Sequence, residues 1–221
     1  MYGGKFTRTI LVEMVMAEGG IEYEMREIDI LDGEHRSGHF RSINPAGMVP
    51  AMVTPEGHTL HETPGICLYL AERHGLDQIV PAAGDGTRGP FLSGLFYLTS
   101  ELEPTMKRYF YPHRYVLREE DIPGIRQQSF RSALKNILFL NRHLTDHGPY
   151  YLGDRFSLVD LNMTYWSTFL NEVEHALDPA PAVLECMKRV RNRPKLQPYF
   201  GRIERMKAEY AALQSRGTGV R

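Results

Sequence analysis

Ile43 to Thr63 reads INPAGMVPAMVTPEGHTLHET. Asn44-Pro45-Ala46-Gly47 is a polar turn, Ala51-Met52-Val53 a short apolar run, and Thr54-Pro55-Glu56-Gly57 a second turn leading to Thr59-Leu60. Two short strands joined by a hairpin follow from this pattern. Pro50 stands at the mouth of the first strand, where it removes an N–H that a sheet ladder would use. That backbone is therefore shaped to hold something other than a neighbouring strand.

Upstream, Tyr2-Gly3 ends a strand, and apolar spacing predicts a helix from Thr7 to Glu18 that closes at Gly19-Gly20. Ile21 to Asp29 alternates as a strand, and a polar helical turn covers His35 to Ser42. Downstream of the hairpin, Pro64 to His74 is helical. The order β-α-β-α-β-β-α describes a small α/β layer, residues 1–75. Residues 76–90 are rich in Gly, Pro, Ala and Asp and form a linker. Residues 91–221 are helical in character, with helices expected at 91–115, 125–146, 157–176, 180–192 and 195–214. The tail SRGTGVR is expected to fray. The fold class is an α/β domain followed by an all-α helical-bundle domain.

Apolar residues make up 42% of the 221 and charged residues 24%, which suits a soluble globular chain with a proper core. The formal net charge of −1 argues against a nucleic-acid surface. Ile10 to Ala17, interrupted by Glu13, is too short to span a bilayer. Cys67 and Cys186 offer neither a disulfide framework nor a CxxC pair, so a cytoplasmic location is expected. His35 and His39 stand at a metal-ligand spacing without a third ligand nearby, and no metal is expected. Ser157 and Asp160 form a capping box, with Phe156 and Leu161 placed as its hydrophobic staple; this pair has a structural role.

The α/β order with a proline opening its third strand resembles the thioredoxin fold, and with an all-helical second domain the chain resembles the glutathione transferase superfamily. NPAGMVP matches that family's N-P-x-G-x-V-P, Glu62-Thr63 its acidic-hydroxyl pair, and YYLGDRFSLVDLNM (Tyr150 to Met163) its L-G-x-x-x-S-x-A-D segment. The resemblance implies a cis Val49–Pro50 bond whose flanking backbone groups pair with an extended peptide. Val49 and Pro50 would hold the cysteinyl unit of glutathione, while Glu62 and Thr63, at a helix start, would take its γ-glutamyl ammonium and carboxylate. His35 and Arg36 would hold the glycine carboxylate.

Thiol activation in the family uses a hydroxyl or a cysteine at the start of the first helix. Here the segment is MYGGKFTRTILVEM, with no cysteine, so disulfide exchange is not expected. Gly4 fills one of the family's slots without a side chain. Thr7 falls at another and is the candidate catalytic residue, alongside a plain N-cap role; Thr9, Tyr2 and the backbone N–H near Gly4 are further candidates. Family members usually carry more residues before the Tyr-Gly, so either this sheet edge is shortened or the true start lies upstream. Tyr97, Met106, Tyr109 and Phe110 are expected to line a site for a small hydrophobic electrophile, with core or subunit-interface roles as the alternative for each; Glu101, Arg108, His113 and Arg114 are unranked polar contacts. Pro104 and Pro112 are expected to bend or end helices. The implied activity is that of a glutathione S-transferase, a homodimer with glutathione as co-substrate. The alternatives are a glutathione-dependent lyase, dehalogenase or isomerase, and a non-catalytic interaction protein of the same fold.

Overall fold

A computed structural model describes residues 1–173 and 175–215. In chain order its elements are β1 (Tyr2–Gly3), α1 (Thr9–Gly19), β2 (Arg26–Glu27), α2 (Gly38–Ile43), β3 (Ala51–Val53), β4 (Thr59–His61), α3 (Thr63–Arg73), α4 (Arg88–Tyr97), α5 (Glu103–Phe110), α6 (Ile122–His147), α7 (Leu158–Leu170), α8 (Pro181–Arg191) and α9 (Gln197–Ser215). They form two compact units: residues 1–76 with the segment from Arg193, and residues 77–192.

In the first unit the sheet order is β2-β1-β3-β4. β1 and β2 are parallel; β1 meets β3 antiparallel with Tyr2 opposite Ala51, and β3 meets β4 with Met52 opposite Leu60. Ile28, Phe40 and Ala51 are buried together on this sheet, with Tyr2 and Val49 packed against them. α1 is buried on every side from Thr9 to Met16, as expected of a helix that is apolar around most of its circumference. It ends where Gly20 turns left-handed and the Ile21 N–H reaches back to the Met16 carbonyl.

The strand expected over 21–29 is only two residues long. Its partner β1 offers Tyr2 and Gly3, so ladder pairing stops after Arg26 and Glu27. α1 begins at Thr9 rather than Thr7. The segment expected as one helix over 91–115 is broken: α4 passes into a π-type turn at Leu98–Leu102, α5 follows, and Pro112 opens a separate 3-10 turn. Pro104 lies at the start of α5, where it can donate no helical N–H. α7 ends at Leu170, six residues before the expected end at 176. Most of the tail lies outside the described residues.

The grouping of α9 with the α/β unit comes from two glutamates of α1. Glu13 and Glu18 are nearly covered by protein. The two terminal nitrogens of the Arg202 guanidinium donate to Glu13, whose Oε1 also accepts the Tyr23 hydroxyl at 2.9 Å. Arg193 clasps Glu18 with two bonds of 2.6 and 2.9 Å. Charge pairing of this bidentate kind fixes orientation as well as proximity.

The second unit packs α5 on α6 and α7 on α8 around a core that includes Leu102, Met106, Ile137, Leu140, Val159, Met163 and Val183. The capping box forms at the start of α7. Asp160, fully buried, accepts the Ser157 N–H and Oγ–H at 2.8 Å each and the Tyr151 N–H at 2.6 Å. Nearby, Arg155 donates to Asp85 at 2.5 Å and to the Asp77 carbonyl, fastening residues 77–85 to the turn before α7.

Candidate functional site

The Val49–Pro50 peptide is cis. Asn44 folds the approach to it: its side-chain amide donates to the Met48 carbonyl at 2.7 Å, and its own carbonyl accepts the Gly47 N–H. Among the described residues, neither the N–H nor the C=O of Val49 is engaged by another backbone group. An extended peptide could therefore add to this edge through main-chain bonds. β1 ends at Gly3 with Tyr2 opposite Ala51, so it leaves the sheet at the end where Val49–Pro50 leads into β3. The β1–α1 turn is thus the segment beside that free edge.

β4 leads directly to the second feature. Glu62 has φ +66°, rare for a residue with a side chain, and its carbonyl accepts the Ile66 N–H as α3 begins. Backbone held in such a region costs about 1–3 kcal/mol and is typical of binding sites. The Glu62 side chain is exposed. Thr63, 3% exposed, has a hydroxyl with no hydrogen-bond partner among the described residues. A buried hydroxyl left unpaired costs about 1–3 kcal/mol. Here it stands at the positive end of α3, where N–H groups also lack helical acceptors. Donors grouped in this way at a helix start can receive an anion.

The turn carrying His35 and Arg36 (Glu34–Arg36) lies beside Gly47. A methyl group added at Gly47 would come within 3.2 Å of the His35 carbonyl. Arg36 is exposed and His35 half-buried. His39 lies in α2, a separate element, so the two histidines do not share one helical face. Among the described residues, no three His, Cys, Asp or Glu side chains gather as a metal site would require.

The Thr7 hydroxyl is 2.7 Å from the Gly4 carbonyl, to which it donates, and 2.6 Å from the Thr9 hydroxyl; it also accepts the Thr9 N–H at 3.3 Å. It closes the β1–α1 turn from within. Thr9 is likewise buried. Gly4 comes so near β2 that an added Cβ would lie 2.5 Å from the Ile28 carbonyl oxygen. A hydroxyl or thiol side chain at that position is therefore excluded by backbone, which accounts for the glycine.

Of the aromatic residues in the second unit, Tyr97 donates its hydroxyl to Asn136 at 3.1 Å and packs on Phe139. Met106 is fully buried in the core, so its side chain lines no open surface. Tyr109 sits edge-on to Phe110 and near Phe130, while Phe110, 37% exposed, faces Phe169. Arg114 stacks over Tyr111; Glu101 and His113 are exposed.

The sequence reading did not anticipate a cleft of about 380 Å³ lined by Lys5, Phe6, Leu31, Glu209, Ala212 and Leu213, all within the first unit. Phe6 has φ +60° and packs on Tyr210 at 5.6 Å. Across the cleft the Lys5 ammonium meets Glu209 at 3.2 Å. The two sides are about two hundred residues apart in sequence, and nothing local marks them as partners.

The family model for the glutathione S-transferase N-terminal domain matches residues 11–73, and that for the glutathione S-transferase C-terminal domain matches residues 118–202. Over 185 residues the chain is 24% identical to glutathione S-transferase GstA of Escherichia coli, covering 83% of this chain and 88% of that protein. Over 70 residues it is 34% identical to the maleylacetoacetate isomerase of Pseudomonas aeruginosa, covering 31% of this chain and 33% of that protein. Among solved structures, a glutathione transferase homologue from Sulfitobacter with bound glutathione superposes with a TM-score of 0.78 at 21% identity, covering 98% of this chain and 97% of that one.

Proposed function

The chain belongs to the glutathione transferase superfamily, and from that premise we propose that it binds glutathione in its α/β unit and uses the thiolate to attack a hydrophobic or aromatic electrophile. The observation that carries this reading is the buried, unpaired Thr63 hydroxyl at the start of α3, next to the strained Glu62. A γ-glutamyl carboxylate would supply the missing partner, and the Glu62 carboxylate would take the adjacent ammonium. The free edge at Val49, directed by Pro50, would pair with the cysteinyl backbone. Arg36, with His35 beside it, would hold the glycine carboxylate through its forked donors.

The thiol then falls beside Gly4 and the turn into α1. Thr7 is the side-chain candidate for stabilising the thiolate, but in the unliganded protein its proton is engaged by the Gly4 carbonyl. The backbone N–H near Gly4 and the positive end of α1 act on the same spot without having to release a partner. Attack on a carbon bearing a leaving group forms a C–S bond while the leaving group departs with its electron pair, so the step needs no redox partner. Among the described residues no helix is long and apolar enough to cross a membrane; a cytoplasmic location is part of the proposal. By family analogy the working form is a homodimer. Glutathione-dependent isomerisation is the second reading, supported by the local similarity to the Pseudomonas isomerase.

Calorimetric titration with glutathione tests the site. Glu62→Ala should weaken binding by about 1.5–3 kcal/mol, the range for a charge-assisted hydrogen bond. Unchanged affinity in a folded variant would remove Glu62 from the site. No glutathione binding by the unaltered protein would overturn the whole reading.

A further inference from the structure

The cleft between the β1–α1 turn and α9 has apolar walls, from Phe6, Leu31, Ala212 and Leu213, and one pair of charged groups, Lys5 and Glu209. We propose that Lys5 is the polar handle of this cleft, selecting electrophiles that carry a carboxylate or similar anionic group, and that Glu209 occupies the handle when no ligand is bound. The inference rests on the glutathione reading, because that reading places the thiol beside Gly4, the residue before Lys5.

Three observations support it. The cleft, open to solvent, holds about 380 Å³ and is mostly apolar with few polar groups. The Lys5–Glu209 pair spans its two sides, and the side chains are 69% and 50% exposed. An ion pair that open to solvent is held weakly, so the glutamate carboxylate exchanges readily for that of a ligand. The apolar body of the ligand would meanwhile lie against Phe6 and Leu213, which line the cleft. A neutral electrophile would gain the walls but not the ammonium.

The test uses two electrophiles identical except for charge: chloronitrobenzoate and chloronitrobenzamide, each with chlorine ortho to the nitro group and para to the carboxyl carbon. In both, the glutathione thiolate forms a C–S bond, the C–Cl bond breaks and chloride leaves with the electron pair. The quantity read is the ratio of kcat/KM for the acid to that for the amide, in which shared effects on the thiol cancel. Lys5→Met should lower this ratio about fivefold and Glu209→Gln should raise it by a similar factor, the worth of one exposed charge pair. Added salt should bring wild type and Lys5→Met together. A ratio unmoved by both substitutions would overturn the assignment. Binding of the unreactive nitrobenzoate and nitrobenzamide, followed by calorimetry, separates the two levels of inference. Lys5-dependent preference for nitrobenzoate without turnover would sink the transferase reading and keep the handle; turnover without such a preference would do the reverse.

Discussion

Thr7 and Thr63 carry the same side chain, are both buried, and differ in one respect that decides what each can do. The Thr7 hydroxyl is occupied by Gly4, Thr9 and the Thr9 N–H, whereas the Thr63 hydroxyl has no partner among the described residues. A satisfied hydroxyl contributes to folding, and an unsatisfied one costs stability until a ligand completes it. Valine, of nearly the same shape, should therefore act with opposite sign at the two positions. Thr7→Val should lower unliganded stability by about 1–2 kcal/mol, because it removes the buried hydrogen bonds to Gly4 and Thr9, and shift the pKa of the bound glutathione thiol little. Thr63→Val should raise unliganded stability by about 1 kcal/mol and weaken glutathione binding by about the same amount. Denaturant midpoints, calorimetric titration and thiolate absorbance read the three quantities. A thiol pKa raised by a full unit in Thr7→Val, equivalent to about 1.4 kcal/mol, would show that Thr7 exchanges the carbonyl for sulfur and donates to it. Equal destabilisation by both substitutions would remove the contrast on which the anion site at Thr63 rests.

The elements that could be read from the sequence are those whose chemistry is complete within a few residues. The capping box is one: Ser157 and Asp160 close on each other across three residues. Burial pushes the Asp160 carboxyl up to about 6, opposed by the hydrogen bonds it receives, so at neutral pH it is ionised and accepts only. Asp160→Ala would leave the Ser157 and Tyr151 donors buried without an acceptor. Destabilisation of about 3 kcal/mol or more is expected, against about 1 kcal/mol for Ser157→Ala, which removes only the cap hydroxyl. Urea denaturation of the two variants measures both, and similar costs would mean that Asp160 holds no more than the cap. The start of α3 was legible for the same local reason, whereas the cis Val49–Pro50 bond was expected from the family resemblance of NPAGMVP. β2 was not legible, because an alternating run becomes a strand only as far as a partner accompanies it, and β1 accompanies it for two residues. The continuous helix expected across 91–115 failed at Leu98–Leu102, where side-chain periodicity does not reveal a widened turn.

At the scale of the molecule, the contacts that sequence could not show are the longest in chain separation. Glu13 looked like a blemish in an apolar helix, yet with Glu18 it receives Arg202 and Arg193 and brings α9 to the α/β unit. The Lys5–Glu209 cleft depends on that placement of α9. The same two units bury the chain's two cysteines, Cys67 in the first and Cys186 in the second. Burial pushes the Cys67 thiol up to about 12. Cys186 is raised as well, by burial first and then by the nearby Asp160 charge. An ordinary thiol, with pKa about 8.5, is roughly one-quarter thiolate at pH 8; one near 12 is about one part in ten thousand. Since only the thiolate reacts, the folded protein should consume no aromatic disulfide reagent over minutes at pH 8. Both cysteines should react once denaturant opens their units. A rapid stoichiometric reaction of native protein would show that one thiol is reachable, and a Cys67→Ser variant would identify which. In that event thiol loss during catalysis could no longer be assigned to glutathione alone, because the protein thiolate could displace the same leaving group from the electrophile. With both thiols silent, disappearance of thiol in the presence of an electrophile measures the glutathione reaction directly.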